Sequence, residues 1–318
     1  IMRVDNAGLV DANNVTVSAL AITAGTAPYY AGPVPSARNI TVGNYGTFTY
    51  VYTAGSAGTI SLEGYAWNSP VASVSTTAYE PPNLSVNHME ILPAGGTFSV
   101  GQNITLTMTI SNTGATNAVN VAPVLPLNRV GTGNASFVSG PLPASQAIPA
   151  GAFGSYTWIY TATAAGSLGY NGKAQGQDIR TGFAYQSVTA TSNQVNIEVP
   201  PVLASAITIQ GDTLNLGQAT NVYMTVTNNG TADALNVSPG DIYVVNPPST
   251  GGMWATEGSS PLAQNIPAGE ARVFTWTYSA TAVGSVALSG NASGFDENSG
   301  IKVSSAMSAS KYIQVQLP

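Results

Sequence analysis

The chain has 318 residues, no cysteine, one histidine and a formal charge of −6, and only 7% of its residues are Asp, Glu, Lys or Arg, against about 25% in ordinary soluble proteins. With no basic cluster, nucleic acid and acidic membrane surfaces are excluded as expected partners, and the lack of cysteine excludes disulfides and thiol chemistry. No run approaches the ~18 uninterrupted apolar residues needed to span a bilayer.

Taken from its start, the chain reads as strands near residues 1–6, 14–22, 46–54, 58–67 and 71–79, separated by Gly, Pro and Asn turns. The strand at 46–54 carries Phe48, Tyr50 and Tyr52 at every second position, and the pattern returns as Tyr156, Trp158, Tyr160 and as Phe274, Trp276, Tyr278. Period two places the three rings of each copy on one strand face, which predicts that all nine are core residues. Flanking motifs keep step with them. Ile148-Pro149-Ala150-Gly151 and Ile266-Pro267-Ala268-Gly269 precede the second and third copies, and Gly58, Gly166 and Gly284 follow the three. Upstream, Asn6-Ala7-Gly8, Asn112-Thr113-Gly114 and Asn228-Asn229-Gly230 form matching turn signals. Asp11, Asn117 and Asp233 align just beyond these and are expected to cap their own turns.

The anchors define three modules, 1–80, 81–199 and 200–318, with double prolines at Pro81-Pro82 and Pro200-Pro201 as stiff joints. From Pro200 to Pro318 the period is 118 residues, the size of a β-sandwich. Module one is short at its front: 7 residues separate Ile1 from Gly8, against 33 from Pro81 to Gly114 and 30 from Pro200 to Gly230. One strand and a turn are therefore missing, corresponding to residues 83–101 and 202–217. Ile1 is expected to be a cut or processing point, and the module to present an unpaired edge and an apolar groove. The fold expected is all-β, three tandem Ig-like β-sandwich domains, the first lacking its N-terminal strand, with no amphipathic helix.

The stretch from Asn112-Thr113-Gly114 through Ile148-Pro149-Ala150-Gly151 and Tyr156-Thr157-Trp158 to Gly166 and Gly176-Gln177-Asp178 resembles the CARDB type of extracellular Ig-like module, found in bacterial and archaeal surface proteins. The resemblance covers modules two and three over most of their length and module one without its first strand. It implies seven-stranded sandwiches used as structural or adhesive units, without catalytic residues. Large insertions after Val121 and Val237 depart from that pattern and are expected to form lateral contact surfaces.

Candidate chemistry is sparse. His88 alone builds no metal cluster and no Ser-His-Asp triad, and reads as a strand surface residue. The fourteen acids are scattered, which disfavours a glycosidase pair. Asp296-Glu297-Asn298-Ser299 offers oxygens that calcium would accept, but the aligned Asp178-Ile179-Arg180 puts a positive charge there, so a plain turn is preferred and no cofactor is expected. Trp254, in the Gly-rich loop at 251–254, is the candidate interface anchor. Sequons at Asn14, Asn39, Asn83, Asn103, Asn134, Asn229, Asn236 and Asn291 are candidate glycosylation sites. Low charge also predicts weak sensitivity to acid, since few carboxylates titrate.

Together these features predict a non-enzymatic, extracellular structural subunit of a filament or surface layer, self-assembling as a homopolymer, with module one completed by a donated strand. That strand would come from residues upstream of Ile1 or from an edge of another module. The alternative is a cell-surface adhesin or stalk that binds carbohydrate or another surface protein.

Overall fold

A computed structural model describes residues 1–67, 69–245, 250–255 and 261–318, without the side chains of 254 and 255. The described residues are strands and turns, with no helix. In module two one sheet runs Asn134–Leu142, Phe153–Ala164, Asn103–Asn112, Leu84–Leu92, all antiparallel. Opposite it, Gly166–Gly172 pairs with Val195–Glu198, which pairs in parallel with Thr97–Ser99. The first segment of the module thus edges both sheets, Leu84–Leu92 on one and Thr97–Ser99 on the other, an Ig-like arrangement. Module three repeats it with Leu203–Ile209 beside Ala219–Asn228 and Thr213–Asn215 parallel to Ile313–Gln316. Among the described residues, strand pairing does not cross either double proline.

The alternating rings set the core. Tyr156, Trp158 and Tyr160 are buried, as are Phe274, Trp276 and Tyr278. They join two separate clusters, one running from Leu84 to Ile197 and the other from Leu203 to Val315. The Tyr156 hydroxyl donates to the Val121 carbonyl at 2.6 Å, and Tyr160 stacks on Tyr170 with centroids 4.8 Å apart. In module one Phe48 is fully buried, but Tyr50 and Tyr52 are only half-buried. Their hydroxyls donate to the carbonyls of Ser18 and Leu20, at 2.6 and 3.3 Å, so the polar ends sit at the sandwich margin.

An asparagine, buried in modules two and three and half-buried in module one, fixes the corner of each module. Asn112 Nδ2 donates to the carbonyls of Thr116 (2.8 Å) and Ile148 (3.1 Å), while its Oδ1 accepts the Gly114 N–H. Asn228 does the same with Ala232, Ile266 and Gly230, and Asn6 with Val10, Ile40 and Gly8. The next aligned position works differently from the sequence expectation. Asp11, Asn117 and Asp233 do not cap their own turns; they accept the N–H groups of Val42, Ala150 and Ala268, 31 to 35 residues away. The pair of polar residues therefore ties two distant turns together. Gly114 and Gly230 lie so close to the Pro81 and Pro200 carbonyls that a Cβ at either position would collide with the double-proline segment.

Three element assignments change. Residues 14–22 divide into Ala12–Thr16 and Ala21–Ala24, which belong to different sheets, and the strand from Gly58 stops at Gly64. The stretches following Val121 and Val237 are not appended insertions. They contain Asn134–Leu142 and Gly252–Ala255, the edge strands of the ring-bearing sheets, and Tyr29–Val34 plays this part in module one.

Removing the corner amide by Asn112→Ala strands two carbonyls and the N–H groups of Asn83 and Gly114, so it is expected to cost about 2–3 kcal/mol, read as an earlier denaturant transition of module two with module three unchanged. Burial raises the phenol pKa of Tyr156, Tyr160, Tyr170 and Tyr278 above 10.0. A raised folded-state value means stability that is complete below the unfolded pKa and lost as pH rises through the folded one. The melting temperature is therefore expected to fall above pH ~10, tracked by calorimetry together with tyrosinate absorbance.

Candidate assembly groove of module one

Module one has three sheets, and two of their edges are open. Met2–Asp5 pairs only with Tyr45–Tyr52, and Ala72–Ala78 pairs only with Gly58–Gly64, among the described residues. Their counterparts in module two are covered by Leu84–Leu92 and Thr97–Ser99. In module two a single segment covers both places, because it passes from sheet to sheet.

Beside the Met2–Asp5 edge lies a cleft of about 420 Å3 lined by Val4, Asn6, Ala12, Val15, Ile40 and Ala66, among others. The aligned residues Ile110, Asn112, Ala118 and Val121 are fully buried in module two, whereas Val4, Asn6, Ala12 and Val15 are half-buried. The difference is apolar surface that a strand such as Leu84–Leu92 would cover, with Leu84, Met89 and Ile91 pointing inward. Along Ala72–Ala78 all positions but the last are exposed, and Val74 is 60% exposed. A flat, uncharged edge of this kind is a template for pairing.

Trp67 stands at the rim of the cleft, 75% exposed and with φ 47°. This aromatic at a left-handed position is a feature that sequence reading missed, since residue 67 fell inside an expected strand. Its signal was the cluster Ala66-Trp67-Asn68-Ser69-Pro70, which replaces the longer aspartate turns of the other modules.

The other candidates lie apart from the cleft or at its margin. His88 is exposed and pairs with Glu90 at 2.9 Å. Asp296 is buried, and its carboxylate accepts the Asn298 N–H and the Ser299 hydroxyl, the bonding of a plain turn. No group of three or more His, Asp or Glu side chains able to hold a metal occurs among the described residues. The sequon residues Asn14, Asn39, Asn83, Asn103, Asn134, Asn229 and Asn236 are exposed, and Asn291 is half-buried. The backbone of Trp254 lies in Gly252–Ala255, while its side chain, the expected interface anchor, falls outside the described residues. No helix is long and apolar enough to cross a membrane.

Amide exchange checks the open edges directly. The N–H groups of Met2–Asp5 and Ala72–Ala78 on the unpaired side of each strand are expected to exchange much faster in the isolated chain than those of the aligned residues 108–111 and 195–198.

No family model matches the chain, and no curated protein matches it; the CARDB likeness accordingly rests on the motifs alone. Solved structures similar to it include the Yersinia pseudotuberculosis adhesin InvE, at 14% identity over 74% of this chain and 60% of that one, with a TM-score of 0.25. The Escherichia coli adhesin FdeC is similar at 14% identity over 98% and 88% of the two chains, with a TM-score of 0.29. Surface layer protein SbsC, domains 4-9, is similar at 12% identity over 95% and 48%, with a TM-score of 0.19. The chain thus spans less than two thirds of the InvE structure, and superpositions this loose carry no functional inference.

Proposed function

We propose that this protein is a non-enzymatic structural subunit of an extracellular filament or surface layer, and that subunits join when module one receives an extended strand from its neighbour. The observation that carries this reading is the open edge Met2–Asp5 beside an apolar cleft, together with a second open edge at Ala72–Ala78, each at a place where the other two modules hold their first segment. Strand addition would satisfy the edge N–H and C=O groups and bury Val4 and Val15 in one step. A heterologous contact of this kind leaves one donor and one acceptor free at each step, and propagates into a filament where its rotation does not close a ring. The modules contribute separate cores in series, and the joints at both double prolines are pinned by hydrogen bonds, Thr116 Oγ1 to the Glu80 carbonyl and the Val199 N–H to Thr231 Oγ1, each at 2.7 Å. N-glycans on the exposed sequons would supply the solubility that so few charges do not.

A second reading, a stalk or adhesin that binds carbohydrate, is favoured by one polar groove on module three. Gln210, Gln218, Thr220 and Asn221 line it, a set of amides and hydroxyls suited to sugar hydroxyls.

The test uses a synthetic peptide of residues 83–101, the segment that completes module two. Added to the full chain, it is expected to bind and to slow exchange at Met2–Asp5, while a peptide with Leu84, Met89 and Ile91 changed to Ser does not. Failure of both peptides, together with slow exchange at Met2–Asp5 in the monomer, overturns the assembly reading. Binding in a glycan array with loss in Asn221→Ala would favour the second.

A further inference from the structure

We infer that the pole of module three formed by Asn215, Leu216, Gln218 and Gln316 is a docking surface for the aspartate turn of a further β-sandwich module. The inference is independent of strand donation to module one, since it concerns the opposite end of the chain.

The joint between modules two and three shows the contact in use. Asn298, two residues after Asp296, donates from Nδ2 to Glu198 Oε2 (2.9 Å) and Ser99 Oγ (3.3 Å). Gln102 Nε2 donates in return to the Asn298 carbonyl at 3.2 Å. Three side chains at the exit pole of module two thus hold one turn of module three. The turn is rigid before it docks, because the Asp296 carboxylate accepts both the Asn298 N–H and the Ser299 hydroxyl.

The exit pole of module three is built on the same backbone frame. The Asn215 N–H donates to Gln218 Oε1, as the Ser99 N–H does to Gln102 Oε1. The Leu216 N–H donates to the Gln316 carbonyl at 2.8 Å, as the Val100 N–H does to that of Glu198. Asn215, Gln218 and Gln316 therefore stand where Ser99, Gln102 and Glu198 stand. The difference is exposure: Ser99 is buried and Gln102 and Glu198 half-buried under the turn, whereas Asn215, Gln218 and Gln316 are exposed. Leu216 is 40% exposed at the centre of this surface. The side-chain amides of Gln316 and Asn215 are joined by a long 3.4 Å bond that a docked amide would replace.

The chemistry of the pole selects the type of turn. At the joint between modules one and two, Arg180 holds the place of Asn298, two residues after Asp178, and its guanidinium lies 3.8 Å from the centroid of the Tyr79 ring. Register places Tyr79, Glu198 and Gln316 at one position, since Gly58 pairs with Ala78 and Gly166 with Ile197, each one residue earlier, and Gly284 with Val315. An aromatic there receives a guanidinium, and a carboxylate there receives an amide. Gln316 presents an amide, so it fits a turn of the Asp-x-Asn type. Module one of a second copy does not fit, because residues 66–70 contain no such aspartate.

The absence of cysteine permits clean spin labelling. Extending the chain after Pro318 with a second copy of residues 201–318 recreates a double proline and offers the Asp296 turn to the pole; module three has a closed core of its own. Labels at Ser304→Cys of module three and of its copy are expected to give a distance distribution as narrow as that of Thr189→Cys with Ser304→Cys across the existing joint. Gln218→Ala with Gln316→Ala is expected to broaden the new joint and leave the existing one unchanged. In the parent chain, Asn298→Asp, which keeps the turn but sets like charge against Glu198, is expected to broaden the existing joint with no loss of melting temperature. A broad distribution at the new joint, a narrow one that survives the double substitution, or an existing joint indifferent to Asn298→Asp would each overturn the inference.

Discussion

The closure of two sheets by one segment governs this structure. In modules two and three the chain enters along the edge of the ring-bearing sheet and then crosses to lie in parallel beside the last strand of the facing sheet. A single stretch of about twenty residues thereby removes two pairing edges and seals the core between them. In module one, among the described residues, no segment pairs at these two places. Met2–Asp5 and Ala72–Ala78 stand at edges, and the apolar positions beside Met2–Asp5 line a cleft.

Module one nevertheless holds its shape through polar bonding at the corner. Asn6 ties the Val10 and Ile40 carbonyls, and Asp11 holds the Val42 N–H, the same net that Asn112 with Asn117 and Asn228 with Asp233 make elsewhere. Because the asparagine of each pair is buried or half-buried and bonded through both ends of its amide, it fixes the two turns whether or not the first segment is present. A preformed acceptor loses less conformational entropy on receiving a strand than one that must fold around it. The corner asparagine and the open cleft are in this sense two parts of one design.

Much of this was legible in the sequence, and the reason is periodicity. Rings at alternate positions in 48–52, 156–160 and 274–278 reported both strand and core, and counting from Asn-Gly turns exposed the missing segment. Less legible were the edge strands Tyr29–Val34 and Asn134–Leu142, whose Gly32-Pro33 and Gly140-Pro141 break the pattern and read as loop. Edge strands tolerate proline because one side of the strand makes no ladder bonds. Long-range bonding was invisible for a different reason. Asp11, Asn117 and Asp233 look like local caps, and only the fold brings the Pro-Ala-Gly turn, or its module-one equivalent, to them. The half-buried state of Tyr50 and Tyr52 likewise depends on where Ser18 and Leu20 lie, which period two does not encode. The three contacts of Asn298 with module two span 100, 196 and 199 residues and could only be seen in three dimensions.

Direct imaging of assembled material at side-chain resolution addresses the central claim. The account predicts an antiparallel strand contributed by another subunit beside Met2–Asp5, its alternate apolar side chains seated against Val4, Ala12 and Ile40. Subunits that pack through other surfaces while the cleft stays solvent-filled would contradict it.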